Sequence, residues 1–287
     1  MRWKHSIYIL IISIISTSFG WSKSTNDTKV CSFSHLYFEI ENGLIIIDAT
    51  VNDVNGKFIF DTGLEGIILN GEANRADQIF ETVGGAVKAQ QVNIEKIKVG
   101  NLVKRNLTAY RSDLTAITNL INTQIHGMIG LSVMNEMLIS IDYESRTMKL
   151  IPKVPFIKDI VRDKHSVPLI FQSEIPCIEL VHDNTTMLFA LDTGAGAHFI
   201  DGKSIKQEDV LQADIQVSSL SGLKKSSKAI NMPMRVANNH LLDLDFKVLD
   251  FTEINNSLDK PINGILSVSQ IFSSQIFIDP ASGTLYF

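Results

Sequence analysis

Short apolar stretches separated by polar or glycine-containing turns run along most of the chain, and no long stretch has the period of an amphipathic helix. Residues 44–47 and 57–60 are apolar-rich and flank Asn55-Gly56, a dipeptide typical of tight hairpin turns. A second pair of apolar stretches flanks His182-Asp183-Asn184 in the same way. The pattern predicts a mostly β fold with only short helices.

A duplicated sequence pattern organises the chain. Asp61-Thr62-Gly63 and Asp192-Thr193-Gly194 each follow an apolar strand, and they lie 131 residues apart. An Ile-Asp pair recurs farther along, at Ile141-Asp142 and Ile278-Asp279, with a separation of 137 residues. Two landmarks in the same order at nearly the same spacing indicate a duplicated domain.

The two copies are predicted to form two pseudo-symmetric lobes. Pro152-Lys153-Val154-Pro155 and the charged stretch after it are typical of a linker, because proline interrupts regular hydrogen bonding. The lobes are expected at residues 34–152 and 165–287. Each is expected to end in a hairpin preceded by a short helical turn, at residues 132–137 and 267–272.

The first 22 residues predict an export signal. A basic start at Arg2 and Lys4 precedes an apolar core from Ile7 to Ile15, and small residues follow near Gly20. The apolar core is shorter than an ordinary membrane span of about 20 residues. We therefore expect residues 1–22 to be removed, the mature chain to lack a membrane span, and its location to be periplasmic or extracellular. An uncleaved N-terminal anchor is the alternative.

Charge and composition exclude several classes of protein. The net charge is −5 and no run of Lys or Arg could follow a phosphate backbone, so nucleic-acid binding is not expected. The His residues show no paired metal spacing, and the two cysteines form no Cys-x-x-Cys, so neither a metal site nor a redox motif is predicted. Cys31 and Cys177 are expected to be unpaired or buried thiols. His198 follows Asp192 closely, but a lone histidine beside a strand is more often structural.

The repeated Asp-Thr-Gly predicts a pair of carboxyl groups shared between the lobes. Burying one carboxylate is costly without compensation, but two facing carboxyl groups can share a single proton. The charged member would activate a water, and the neutral member would hydrogen-bond to a substrate carbonyl. Thr62 and Thr193 would hydrogen-bond across the lobe junction. Gly63 and Gly194 would allow the tight turn and present amide donors to Asp61 and Asp192.

On these motifs the chain resembles the bacterial retropepsin-like aspartic peptidases, in the tandem form in which two lobes are joined as in pepsin. The later apolar-apolar-Gly motif, Met128-Ile129-Gly130, adds to the resemblance. The resemblance covers nearly all of the mature chain. It implies two β-barrel lobes with a cleft between them, and peptide-bond hydrolysis without a metal or organic cofactor.

Two residues depart from the family pattern. Leu64 stands where the family usually has Ser, Thr or Ala, and it could narrow the site or tilt Asp61. Ser267 ends the second apolar-apolar-Gly motif in place of glycine. The family also covers its cleft with a glycine-tipped hairpin. Gly84 and Gly85 are the candidates in the first lobe and Gly222 is the candidate in the second, with a plain surface turn as the alternative for each.

The sequence therefore predicts an exported, monomeric aspartic endopeptidase that acts on peptides or unfolded proteins through Asp61 and Asp192. A peptide-binding pseudo-peptidase with weak or no hydrolysis is the first alternative, suggested by Leu64 and Ser267. A structural β protein of the cell envelope is the second, and the retention of both Asp residues disfavours it.

Overall fold

Strands make up most of the protein, and the described helices are at most two turns long. The computed structural model describes residues 7–10, 33–74, 78–80, 82, 85–152, 157–206, 211–219, 224–236 and 240–287. The strands are β1 (Ile7–Leu10), β2 (Ser34–Glu41), β3 (Leu44–Val51), β4 (Val54–Asp61), β5 (Ile67–Asn70), β6 (Gln78–Phe80), β7 (Val87–Val99), β8 (Leu102–Ser112), β9 (Gly127–Gly130), β10 (Met137–Asp142), β11 (Thr147–Pro152), β12 (Ser166–Pro168), β13 (Ile170–Gln172), β14 (Ile175–His182), β15 (Thr185–Asp192), β16 (His198–Asp201), β17 (Leu211–Ser219), β18 (Lys224–Val236), β19 (His240–Leu249), β20 (Gly264–Ser267), β21 (Gln275–Asp279) and β22 (Thr284–Tyr286). The helices are α1 (Thr115–Ile121), α2 (Ile157–Ile160), α3 (Thr252–Asn255) and α4 (Val268–Ile271), and 3₁₀ turns occupy Leu131–Met134 and Gly202–Ser204. The predicted mostly β fold with short helices is confirmed.

Each copy of the repeat closes into a six-stranded ring. The first barrel runs β3-β4-β9-β5-β8-β7 and returns to β3 through the pairs Thr50–Lys98 and Val51–Ile97. The second barrel runs β14-β15-β20-β16-β19-β18 and returns to β14 through the pair Val181–Arg235. Because the strands correspond one to one, the repeat in the sequence is a repeat of topology.

The strands that end in Asp change from exposed to buried along their length. β4 begins exposed, and its last four residues, Phe58–Asp61, are all buried. β15 does the same and ends in the buried stretch Phe189–Asp192. Each end pairs in parallel with a short, fully buried strand, β9 or β20. Strands covered on both faces are continuously apolar, which explains why these two stretches lack alternation.

The lobes also share a sheet and a core. β12, β22, β21, β10, β11 and β2 pair in that order, so strands from both halves of the chain form one sheet. Its central pair places Ile139 opposite Ile278. The largest buried cluster contains Phe60 from the first barrel and Leu191 from the second. This shared packing fixes the ends of β4 and β15 relative to each other.

The position of the first hairpin turn differs from the prediction. Asn55 and Gly56 lie within β4, paired with Thr50 and Ala49, and the turn is formed by Asn52-Asp53, with φ of 47° and 65°. Positive φ at both central residues is the type I′ geometry that suits a two-residue hairpin. A Cβ at residue 56 would lie 2.3 Å from the His126 ring, so this glycine serves close packing and not the turn. The second hairpin does turn where predicted, at Asp183-Asn184.

The N-terminal strand β1 pairs in parallel with Gln216–Ser219 of β17. The rest of the predicted signal segment, residues 1–6 and 11–22, lies outside the described residues, so export stays a prediction. No helix in the described part of the chain is long and apolar enough to cross a membrane.

Candidate active site

Asp61 and Asp192 end equivalent strands and are completely buried. In the parallel pairs that support them, Asp61 lies opposite Gly130 and Asp192 lies opposite Ser267. Each Asp also accepts a hydrogen bond from its own turn: Gly63 N–H donates to Asp61 Oδ1 at 2.8 Å, and Gly194 N–H donates to Asp192 Oδ1 at 2.5 Å. Each carboxyl group is therefore held by a backbone donor two residues further along the chain.

The turn of each lobe lies against the carboxyl group of the other lobe. A Cβ added to Gly63 would lie 3.0 Å from Asp192 Cγ, and one added to Gly194 would lie 2.5 Å from Asp61 Cγ. Both positions are closer than ordinary carbon contacts of about 3.5–4.0 Å. The structure therefore brings the two predicted Asp-Thr-Gly motifs together, face to face, and glycine is the residue that allows this approach.

The two threonines lock the turns to each other. Thr62 Oγ1 donates to Leu191 O at 2.7 Å, and Thr193 Oγ1 donates to Phe60 O at 2.7 Å. In return, Thr62 N–H donates to Thr193 Oγ1, and Thr193 N–H donates to Thr62 Oγ1, each at 3.0 Å. All four bonds are buried and cross between the lobes, as the sequence predicted for these threonines.

Burial makes ionisation of the two Asp residues costly. The pKa of Asp61 is raised well above its usual value by burial first, and then by the neighbouring Asp192 carboxyl group; Gly63 N–H opposes the shift. Burial also raises the pKa of Asp192, against the neighbouring Asp61 and the N–H groups of Gly194 and Ala195, which favour its charged form. The second oxygen of each, Oδ2, is buried and has no hydrogen-bond partner among the residues that the structure describes. A single proton shared by the pair satisfies this arrangement better than two charges do.

Leu64 packs into the core of the first lobe. Its side chain is completely buried in the apolar cluster of that lobe, with Leu44, Ile46 and Ile59 among its members. A branched aliphatic side chain is stabilised by burial in such a cluster, and an effect of Leu64 on the site stays a prediction. Ala195, in the equivalent position, is also buried.

The flap candidates are only partly described. Gly85 lies in the turn between β6 and β7 with φ of 115°, where its N–H donates to Thr82 O at 3.0 Å and its carbonyl accepts from Thr82 Oγ1 at 2.6 Å. Gly84 and Gly222 lie outside the described residues. These bonds hold Gly85 to its own turn, so its role as a cleft cover stays a prediction.

Hydrogen bonds near the two turns add residues that the sequence analysis missed. Ser269 Oγ donates across the lobe junction to Gly43 O in the β2–β3 turn at 3.0 Å, and within the second lobe Gln270 Nε2 donates to Gly196 O at 2.8 Å. In the first lobe Ser132 Oγ accepts from Gly66 N–H at 3.0 Å. Ser132 and Ser269 each stand two residues after the end of the apolar-apolar motif, so comparison of the two repeats could have found them.

The remaining candidate groups are not placed for metal or thiol chemistry. Within the described ranges, no cluster of three His, Cys, Asp or Glu side chains could hold a metal ion. Cys177 is a buried free thiol, and burial raises its pKa to about 12, which makes it a poor nucleophile. Cys31 lies outside the described residues.

A family model described as "Aspartyl protease" matches residues 47–133. The match includes Asp61-Thr62-Gly63 and Gly130 and most of the first barrel; the second barrel repeats the same strand order around Asp192. No curated protein matches the chain. Over residues 47–133 the chain is therefore similar to aspartyl proteases, and its two barrels are consistent with the tandem form of the retropepsin-like family.

Proposed function

We propose that this protein is an aspartic endopeptidase in which Asp61 and Asp192 of one chain activate a water molecule. The observation that supports the proposal most directly is the state of the four carboxyl oxygens. Each Oδ1 accepts from a backbone N–H of its own turn, whereas both Oδ2 atoms are buried and have no hydrogen-bond partner in the described part of the chain. A buried polar atom without a partner is costly, and a water or a substrate group between the two would satisfy both.

The reaction follows from one proton shared by the pair. The charged carboxyl group takes a proton from water as the water oxygen bonds to the peptide carbon, and the neutral group hydrogen-bonds to the carbonyl oxygen. The tetrahedral intermediate then collapses: the C–N bond breaks and the amide nitrogen receives a proton from the pair. No covalent bond forms between protein and substrate.

The pair of Asp61 and Asp192, called the dyad below, is completely buried, and this sets a condition on substrate entry. Asp61 and Asp192 have no exposed surface, so a peptide reaches them only after the segments above them move. We propose that extended peptides or unfolded proteins are the substrates, because a chain must be thin and extended to pass between two lobes joined by a common sheet. The same burial favours the second candidate, a peptide-binding protein that hydrolyses slowly.

Cleavage of a mixed peptide library by the protein, followed by mass spectrometry between about pH 3 and pH 7, tests the proposal. Asp61→Asn and Asp192→Asn are the test variants, and Asp48→Asn is the matched control because the Asp48 side chain is 83% exposed. We expect cleavage by the wild type and the control only. Peptide binding without cleavage by the wild type would establish the second candidate.

Both Asp residues come from one chain, so we propose that a monomer is sufficient. Specific activity should then stay constant when the protein is diluted, and activity that falls with dilution would contradict intramolecular pairing. We also propose that residues 1–22 direct export, which N-terminal sequencing of protein recovered outside the cytoplasm tests. Recovery of full-length protein from the cytoplasm would contradict export.

A further inference from the structure

Gly130 and Ser267 occupy the same position in the two barrels. Gly130 lies opposite Asp61 in the parallel pair of β4 with β9, and Ser267 lies opposite Asp192 in the pair of β15 with β20. Both sites are completely enclosed. If the residue at this position differs in size, the neighbouring end of β4 or β15, which carries the Asp, must therefore accommodate it.

In the first barrel, the glycine makes a backbone hydrogen bond that no larger residue could make. Gly130 N–H donates to Gly66 O at 2.7 Å. A Cβ at residue 130 would lie 2.1 Å from Leu64 O, far inside the usual contact distance. The turn after Asp61 is thus held directly against the strand that supports that Asp.

In the second barrel, a histidine side chain replaces this backbone acceptor. Ser267 N–H donates to His198 Nδ1 at 3.1 Å, and His198 is 3% exposed. His198 corresponds to Ile67, because each is the first residue of the strand that follows the turn. The imidazole gives the Ser267 amide an acceptor that stands farther from the main chain and leaves room for the serine Cβ.

The imidazole is neutral when it accepts this bond, because Nδ1 then carries no proton. Burial lowers the pKa of His198 to about 4; the charge of Lys247 lowers it further, and that of Asp245 raises it. The Phe246 ring packs against the imidazole at a tilt of 55°, with 5.8 Å between the ring centroids. The acceptor is therefore available at the mildly acid pH where a shared-proton pair of carboxyl groups works.

We infer that His198 is a positioning residue for Asp192. His198 and Ser267 form a matched pair that replaces the hydrogen bond from Gly130 N–H to Gly66 O in the first barrel. This inference rests on the proposed function of the dyad. The side chain of Ser267 extends this connection: its Oγ lies 3.2 Å from Ser269 Oγ, and Ser269 Oγ donates to Gly43 O of the first lobe. The pair thus connects the Asp192 strand to the interface between the lobes.

Single and double variants of the full chain test this assignment. H198I introduces the residue of the first barrel and removes the acceptor, and it should lower kcat at least about tenfold with little change in KM, because the turn shifts while substrate contacts remain. H198N keeps an acceptor oxygen near the Nδ1 position, and it should lose no more than about threefold. In H198I/S267G, the glycine can approach the backbone as Gly130 does, so most of the kcat should return.

H182N is the matched control, since His182 is partly exposed at the opposite end of the β14–β15 hairpin and bonds to Pro233 O. Its kcat should match the wild type. Failure of S267G to rescue H198I, or equal losses in H198N and H198I, would overturn the assignment, because His198 would then act by packing alone. The urea midpoints of the same variants should show the same loss and recovery. If the wild type cleaves no peptide, the proposed function fails, whereas these midpoints still decide whether the two residues are matched.

Discussion

Gly194→Ala would press a methyl group directly onto the Asp61 carboxyl group, and Gly63→Ala would do the same to Asp192 with a smaller overlap. The added Cβ would lie 2.5 Å from Asp61 Cγ in the first variant and 3.0 Å from Asp192 Cγ in the second. Since carbon atoms in contact lie about 3.5–4.0 Å apart, the carboxyl group or the turn must move by about 1 Å in Gly194→Ala and by about half as much in Gly63→Ala. The two equivalent glycines therefore predict unequal effects.

The magnitude follows from the displacement. A misplacement of about 1 Å at a reacting group can cost about 100-fold in rate, so we expect Gly194→Ala to lose about 100-fold in kcat/KM and Gly63→Ala about tenfold. Overpacking in a close-packed interior also costs about 1–3 kcal/mol of stability, with the larger cost again in Gly194→Ala. Hydrolysis of one peptide identified in the library gives kcat and KM, and urea unfolding gives the stability of each variant.

Gly202→Ala is the control, because a Cβ there would meet Val248 Cγ1 at 3.4 Å, near an ordinary contact distance. It should keep wild-type kcat/KM. If Gly194→Ala behaved like this control, or if Gly63→Ala were the more damaged of the two, the face-to-face arrangement of each turn with the opposite carboxyl group would be wrong.

Three further predictions concern the same turns. Thr62→Val and Thr193→Val each remove a buried hydroxyl that donates one hydrogen bond and accepts another, so urea unfolding should show losses of about 2–5 kcal/mol. The Ser variants keep the hydroxyl and should stay close to the wild type. Equal losses for Val and Ser would contradict a stabilising role of these hydrogen bonds between the lobes. The pKa values of Asp61 and Asp192 are raised in the folded state, so the pair stabilises the protein fully below pH 3.8 and less as the pH rises through the raised values. The free energy of unfolding of Asp61→Asn or Asp192→Asn should therefore gain about 1–3 kcal/mol relative to the wild type between pH 4 and pH 7. A difference that does not change with pH would contradict proton sharing. Leu64→Ala should cost about 2–5 kcal/mol without raising kcat, because it leaves a cavity in the core and opens nothing at the dyad; a faster, equally stable variant would contradict this placement.

The sequence was informative wherever the chemistry repeats. The apolar strand before each Asp-Thr-Gly must be buried on both faces, so two such strands at one spacing already predict two equivalent barrels with Asp61 and Asp192 at their ends. The roles of Thr62 and Thr193 followed, because a hydroxyl next to a buried acid in each half has few partners other than the other half.

The rest depended on contacts that no local pattern encodes. Asn55-Gly56 is a strong turn signal, yet Asn52-Asp53 makes the turn, because Gly56 is needed where the chain passes the His126 ring. The pairing of His198 with Ser267 joins residues 69 positions apart and becomes visible only once the register is known. The sheet shared by the two lobes was not predicted either, because strand order depends on packing between distant segments.

The most direct test of the dyad compares kcat/KM for the wild type, Asp61→Asn, Asp192→Asn and the double variant on one peptide. Residues that share one proton act as a unit, so each single variant should fall at least about 1,000-fold and the double variant should be no worse than either single one. If one single variant kept most of its activity, or if the two losses multiplied in the double variant, Asp61 and Asp192 would not form a catalytic pair.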